Sequence, residues 1–101
     1  MSRLAGLSID EAGVAAVCRR YRVHRLAVFG SALRNELRPE SDLDILVEFE
    51  PKTAIGLRFI TLQTELSKLF GRRVDLLTPG FLSPHFRSRV LEEAVPLYEA
   101  A

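Results

Sequence analysis

The sequence predicts an α/β (α+β) fold, a small mixed β-sheet with helices packed on one face, and three observations predict it. Apolar runs of strand length at residues 26–29, 43–49 and 73–78 are separated by stretches of helical periodicity. Two of those runs alternate polar and apolar positions, which gives a sheet one buried and one open face. Finally, 101 residues with 48% hydrophobic content suffice for one core and not for two, so 1–101 reads as a single domain.

Taken in order, the chain first offers Ser8-Ile9-Asp10-Glu11, which has the form of a capping box opening a helix. Val14, Val17, Cys18 and Tyr21 follow at i, i+3, i+4 and i+7 and form one apolar stripe. Cys18 on that stripe reads as core packing, since no activating base is near it in sequence. Arg19, Arg20, Arg22 and Arg25 gather at the helix end and beyond. Favourable charge at a helix C-terminus accounts for them, with a partner or RNA contact as the sharper alternative. Residues 26–29 make a strand stopped by Gly30, and a short helix opens at Ser31 with Arg34 one turn on. A loop with Pro39 leads into the next strand, where Leu43, Ile45, Val47 and Phe49 share one face and Asp42, Asp44, Leu46 and Glu48 the other.

Pro51, Lys52 and Thr53 then break the chain. Residues 54–70 read as a helix with Phe59, Leu62, Leu66 and Leu69 turned to the core and Gly71 ending it as C′. In the strand over 73–78, Val74 and Leu76 face one way and Asp75 and Leu77 the other. After a Thr78-Pro79-Gly80 turn, Ser83 and Pro84 serve as N-cap and N1 of a last helix that carries Phe86, Val90 and Ala94 inward. His85, Arg87 and Arg89 read as surface residues of that helix rather than catalysts, with a place bordering a nucleotide as the alternative. Pro96 ends it and leaves Leu97 and Tyr98 as a tail or short edge strand.

Chemistry concentrates between residues 26 and 49. Gly30 permits positive φ and close backbone approach to a ligand. Ser31, at a helix start, brings its hydroxyl and the following free N–H groups toward an anion. A plain strand-turn-helix junction would look the same if it stood alone. Asp42 and Asp44, however, project from one face of the next strand roughly 6.6 Å apart. Carboxylates so placed repel each other unless a cation lies between them, and Mg²⁺ would also bring nucleotide phosphates into the same space. Of the four aspartates, against nine glutamates, the three beyond Asp10 are Asp42, Asp44 and Asp75. The short carboxylate is thus nearly reserved for one place. If the 73–78 strand lies beside the Asp42/Asp44 strand, Asp75 completes a cluster of three. Pairing of Asp75 with Arg72 or Arg73 is the alternative.

Gly30-Ser31, Arg34 and Ser41-Asp42-Leu43-Asp44 resemble the signature of the DNA polymerase β-like nucleotidyltransferases. The short chain, with Arg73-Val74-Asp75-Leu76-Leu77-Thr78 and Glu93-Ala94-Val95-Pro96-Leu97-Tyr98, is similar to their minimal nucleotidyltransferase branch. Many relatives carry Gly after the arginine where this chain has Asn35, a residue that also tolerates left-handed geometry. The resemblance implies the polymerase β-like fold and a Mg²⁺-dependent transfer of NMP from an NTP, with ATP as substrate. It implies nucleotide binding by Gly30, Ser31 and Arg34, although Arg34 as a plain helix-surface arginine stays open. It implies a pair of Mg²⁺ ions on Asp42, Asp44 and Asp75, with Asp75 as general base toward the attacking hydroxyl. Members of this branch are often antitoxins of HEPN-domain toxins, so the implied acceptor is a hydroxyl, a tyrosine's by preference, on such a partner.

Composition sets the outer bounds. A net charge of +1 gives no general reason to expect direct nucleic-acid binding and leaves room for homo- or hetero-oligomers. No apolar run approaches the length that spans a bilayer, and no membrane partner is expected. One cysteine cannot form an internal disulfide, which fits a reducing cytoplasm. Two other classes remain: a non-catalytic antitoxin that neutralises its partner by contact, and a small-molecule nucleotidyltransferase of the aminoglycoside type. The apparent lack of a separate substrate domain speaks against the latter.

Overall fold

The computed structural model describes residues 2–4, 7–30 and 42–100. Strands β1 (Ser2–Leu4) and β2 (Leu7–Ile9) pair antiparallel as a small ribbon. Helix α1 (Glu11–Arg20) follows, then strand β3 (Val23–Val28), strand β4 (Leu43–Phe49), helix α2 (Arg58–Phe70) and strand β5 (Val74–Leu77). A 3₁₀ turn (Pro79–Phe81), helix α3 (Pro84–Glu93) and strand β6 (Val95–Glu99) complete the chain.

The main sheet runs β5-β4-β3-β6 and is mixed, as expected of the fold: β3 is antiparallel to both neighbours, while β4 and β5 are parallel. Parallel neighbours require a crossover, and α2 supplies it. On one face Leu26, Val28, Leu43, Ile45, Val47, Val74 and Leu76 pack against Val14, Val17, Cys18 and Tyr21 and against Leu62 and Leu66 of α2. The two apolar stripes read from helical spacing are therefore the cover of the core. Gly71 ends α2 at φ 70°, in the left-handed conformation expected of C′.

Several boundaries differ. Ser8 belongs to β2, and the cap of α1 is Asp10, whose Oδ1 accepts from the Gly13 N–H at 3.0 Å. The carboxylate reaches the third N–H of the helix as well as a hydroxyl does, and the strand claims Ser8. Helix α2 begins at Arg58, four residues later than its periodicity suggested, because Gly56 at φ 52° interrupts the backbone. Helix α3 ends at Glu93, before Pro96, and Pro96 lies inside a full strand, β6, bonded to β3.

Three arginines of the cluster meet glutamates, Arg20 and Arg22 from largely exposed positions. Arg20 pairs with Glu65 at 2.6 Å, Arg25 lies 3.5 Å from Glu48, and the Arg58 guanidinium stands over the Tyr21 ring. Tyr21 donates its hydroxyl to Glu65, and that hydrogen bond is the first cause of an upward-shifted phenol pKa.

Cys18 is fully buried, and burial pushes its thiol up from 9.0 to about 12. The unfolded chain therefore loses this proton first. The thiol costs no stability below pH 9.0, and stability falls as pH rises from there toward about 12. Native protein at pH 8 is expected to resist iodoacetamide and to react fully once denatured. Modification of the native chain at the rate of a free thiol would contradict this packing.

Candidate active site

Parallel strands that begin together place their first residues side by side, and that is how this site is built. Asp44 and Asp75 are register partners on β4 and β5, on the sheet face turned away from α1 and α2. Neighbouring strands lie about 4.8 Å apart, so the two carboxylates rise from adjacent backbone positions. The sequence left open whether these strands were neighbours, and they are.

Strand β5 is an edge strand, and α2 fixes its position. Ser67 Oγ accepts from the Val74 N–H at 3.0 Å, and Gln63 Oε1 accepts from the Leu76 N–H at 3.1 Å. Both outward N–H groups are thereby satisfied by side chains from the crossover helix, which blunts the edge and holds the register that sets Asp75 beside Asp44. Sequence reasoning assigned no role to Gln63 or Ser67. Their signal was a pair of polar residues at i and i+4 on a helix whose apolar stripe was already accounted for.

Strand β3 runs the other way and ends at the same place, so Phe29 and Gly30 arrive next to Asp44. The Phe29 N–H donates to the Asp44 backbone oxygen at 3.1 Å. Gly30 has φ 77°, and a Cβ built on it would collide with the Asp44 carboxylate. The glycine thus meets both demands that only glycine meets, left-handed geometry and close approach, and what approaches is the acidic side chain itself. Ser31 and Arg34, read as phosphate ligands, lie outside the described residues, and so does Ser41.

Asp42 stands just before β4, exposed, with Oδ1 3.9 Å from Arg73 Nε. An exposed contact at that distance contributes little and exchanges readily. The pairing considered for Asp75 with Arg73 therefore goes to Asp42 instead. Asp75 is exposed, and its carboxylate makes no hydrogen bond or ion pair among the described residues. Among the described residues no group of three carboxylate, histidine or cysteine side chains is gathered closely enough to hold a cation. The donor chemistry nonetheless fits a hard divalent ion, because Asp44 and Asp75 offer oxygen ligands from adjacent strands and Asp42 is only weakly restrained.

Beside Asp44 opens a cleft of about 860 Å³, within the range of small-molecule sites. Phe29, Gly30 and Asp44 line one side; Phe86, Arg89, Val90 and Glu93 of α3, with Val95 of β6, line the other. Phe86 was expected in the core but is 61% exposed, since α3 buries none of its own residues and borders the cleft instead. Positions 86, 89, 90 and 93 share one helical face, a spacing that could have shown the stripe to be mixed rather than apolar.

Residues 13–97 match the family described as nucleotidyltransferase domain. The chain belongs to that family. This nucleotidyltransferase is 42% identical over 76 residues to the protein adenylyltransferase MntA of Thermococcus cleftensis, an alignment covering 75% of this chain and 76% of that protein. A solved structure described as a "putative minimal nucleotidyltransferase" is 41% identical, with TM-score 0.72 over 85% of this chain and 87% of that one. A solved toxin–antitoxin structure with AMP-PNP shares the fold at 20% identity and TM-score 0.70, covering 91% of this chain and 75% of that one. Among the described residues of this nucleotidyltransferase, no helix is long and apolar enough to cross a membrane.

Proposed function

We propose that this nucleotidyltransferase moves AMP from ATP to a hydroxyl of a partner protein, a HEPN-domain toxin with a tyrosine acceptor, and so acts as its cytoplasmic antitoxin. The observation that carries the reading is the Asp44–Asp75 register pair, set against the Gly30 turn at the mouth of a nucleotide-sized cleft. The choice of a protein acceptor and of ATP is supported by a 42% identical relative named protein adenylyltransferase, and by a toxin–antitoxin structure of the same fold that carries AMP-PNP.

Each residue has a task in this reading. Gly30, Ser31 and Arg34 hold the phosphates. Asp42, Asp44 and Asp75 hold Mg²⁺, which when bound polarises the α-phosphate and neutralises charge on the departing pyrophosphate. Asp75, on the outermost strand, receives the proton of the attacking hydroxyl. A bond forms between that oxygen and the α-phosphorus. The bond from the α-phosphorus to the bridging oxygen breaks, and its electron pair leaves with pyrophosphate.

The test is to incubate the chain with its co-expressed genetic neighbour, Mg²⁺ and ATP labelled at the α-phosphate. Label is expected on one partner band, dependent on Mg²⁺ and lost in the Asp42→Asn/Asp44→Asn double variant. A stable, toxin-neutralising complex that carries no label, or one in which the double variant neutralises as well as wild type, would replace this reading with inhibition by contact.

A further inference from the structure

We propose that Arg89 of α3 is a polyphosphate-binding residue, which exchanges its contact with Glu93 for the β- and γ-phosphates of the nucleotide and then for the pyrophosphate that leaves. The proposal rests on the nucleotidyl-transfer reading above and gives one of the three basic residues that could border the nucleotide a definite place, on the α3 wall of the cleft.

The argument begins with order along one end of the sheet. Strands β4 and β5 start there, β3 ends there, and β6 starts there opposite Val28. Across that end the sequence of groups is Asp75, Asp44, Gly30, then Val95 with α3 beyond it. In an in-line displacement the entering and leaving oxygens lie on opposite sides of the phosphorus. With the entering hydroxyl at Asp75 on the outer strand, the leaving phosphates run the other way, past Asp44 and Gly30 and into the cleft. Its far wall is α3.

Among the described residues that line this cleft, Arg89 is the one cation. It is 73% exposed, and its partner Glu93 lies 3.7 Å away at i+4, itself 61% exposed. A solvent-exposed pair of that kind contributes little and breaks easily. The neighbouring arginine shows the contrast: Arg87 donates to the Pro79 carbonyl at 2.9 Å and to the Leu82 carbonyl at 3.0 Å, tying α3 to the turn before it. One arginine of this helix is spent on structure and the other faces the cleft. A guanidinium matches phosphate oxygens in a bidentate fork and stays protonated, so charge growing on pyrophosphate is met without any proton moving.

Isothermal titration of the full chain in Mg²⁺ tests this with three probes: AMP-PNP, inorganic tripolyphosphate and AMP. Arg89→Gln is expected to weaken AMP-PNP and tripolyphosphate by about tenfold or more, the effect of a lost hydrogen bond to a charged group, and to leave AMP within about twofold. Arg19→Gln, which removes an exposed charge from α1, is expected to change none of the three. Unaltered tripolyphosphate binding by Arg89→Gln overturns the proposal, and so does an equal loss on AMP, which would mark a general effect of charge or folding. A wild-type chain that binds none of the probes and transfers no label overturns the nucleotidyl-transfer reading along with it. A wild-type chain that transfers label, beside an Arg89→Gln chain with undiminished polyphosphate binding, overturns the role of Arg89 alone.

Discussion

Asp44→Asn is expected to lower nucleotidyl transfer by about a thousandfold or more while leaving the fold intact. Asp44 is the central acid of the site: Asp75 is its register partner on one side, and Gly30 touches its carboxylate on the other. Asparagine keeps the size and one oxygen but removes the charge that a hard cation requires. Losing a cation's stabilisation of transition-state charge amounts to several kcal/mol, and each 1.36 kcal/mol is tenfold in rate. Asp75→Asn is expected to cost about a hundredfold to ten-thousandfold, the range for a missing general base. Both variants remove a Mg²⁺ ligand and so weaken Mg²⁺-dependent AMP-PNP binding, and Asp75→Asn removes the proton acceptor as well. Thermal midpoints within about 5 °C of wild type, equivalent to roughly 1 kcal/mol in a chain of this size, would confirm that both variants fold. Label transfer by Asp44→Asn at even a tenth of the wild-type rate would remove the acidic pair from the chemistry.

How far this site could be read beforehand depended on the range of the interactions involved. Strand alternation is local, so the division of Leu43, Ile45 and Val47 from Asp44 matches the burial seen in β4. The end of α2 at Gly71 is equally local, a single backbone conformation that one residue type favours. That Asp75 stands beside Asp44 is a matter of strand order, which no spacing within either strand encodes. The side chains that hold the order, Gln63 and Ser67, do so through bonds to backbone N–H groups of another element. Phe86 was misplaced for a related reason: helical periodicity finds a face but does not say whether core or cleft lies against it. The arginine cluster follows its plain account only in part: Arg19 and Arg20 lie in the last turn of α1, whereas the glutamates that Arg20, Arg22 and Arg25 meet belong to other segments, which no reading of α1 alone could place.

Gly30→Ala is expected to lose both stability and activity, and a second glycine separates the two losses. Gly30 and Gly71 sit at nearly the same left-handed geometry, φ 77° and φ 70°. An L side chain at either position carries a backbone penalty of about 1–2 kcal/mol. At Gly71 an added Cβ would meet nothing within 4 Å, so Gly71→Ala is expected to lower the thermal midpoint by roughly 4–15 °C and to transfer label at the wild-type rate. At Gly30 the same atom would land on the Asp44 carboxylate, a short side chain with little freedom to yield. The carboxylate must therefore move, and a displacement of about 1 Å at a reacting centre can cost a hundredfold. Gly30→Ala should thus show at least the midpoint loss of Gly71→Ala together with a fall in transfer of about tenfold to a hundredfold. Equal activity in the two variants would mean that the contact between the glycine turn and the acid does not set the geometry of the reaction. Loss in Gly30→Ala alone ties the φ 77° turn to the placement of Asp44, and makes the close packing of turn and carboxylate the feature on which the site depends.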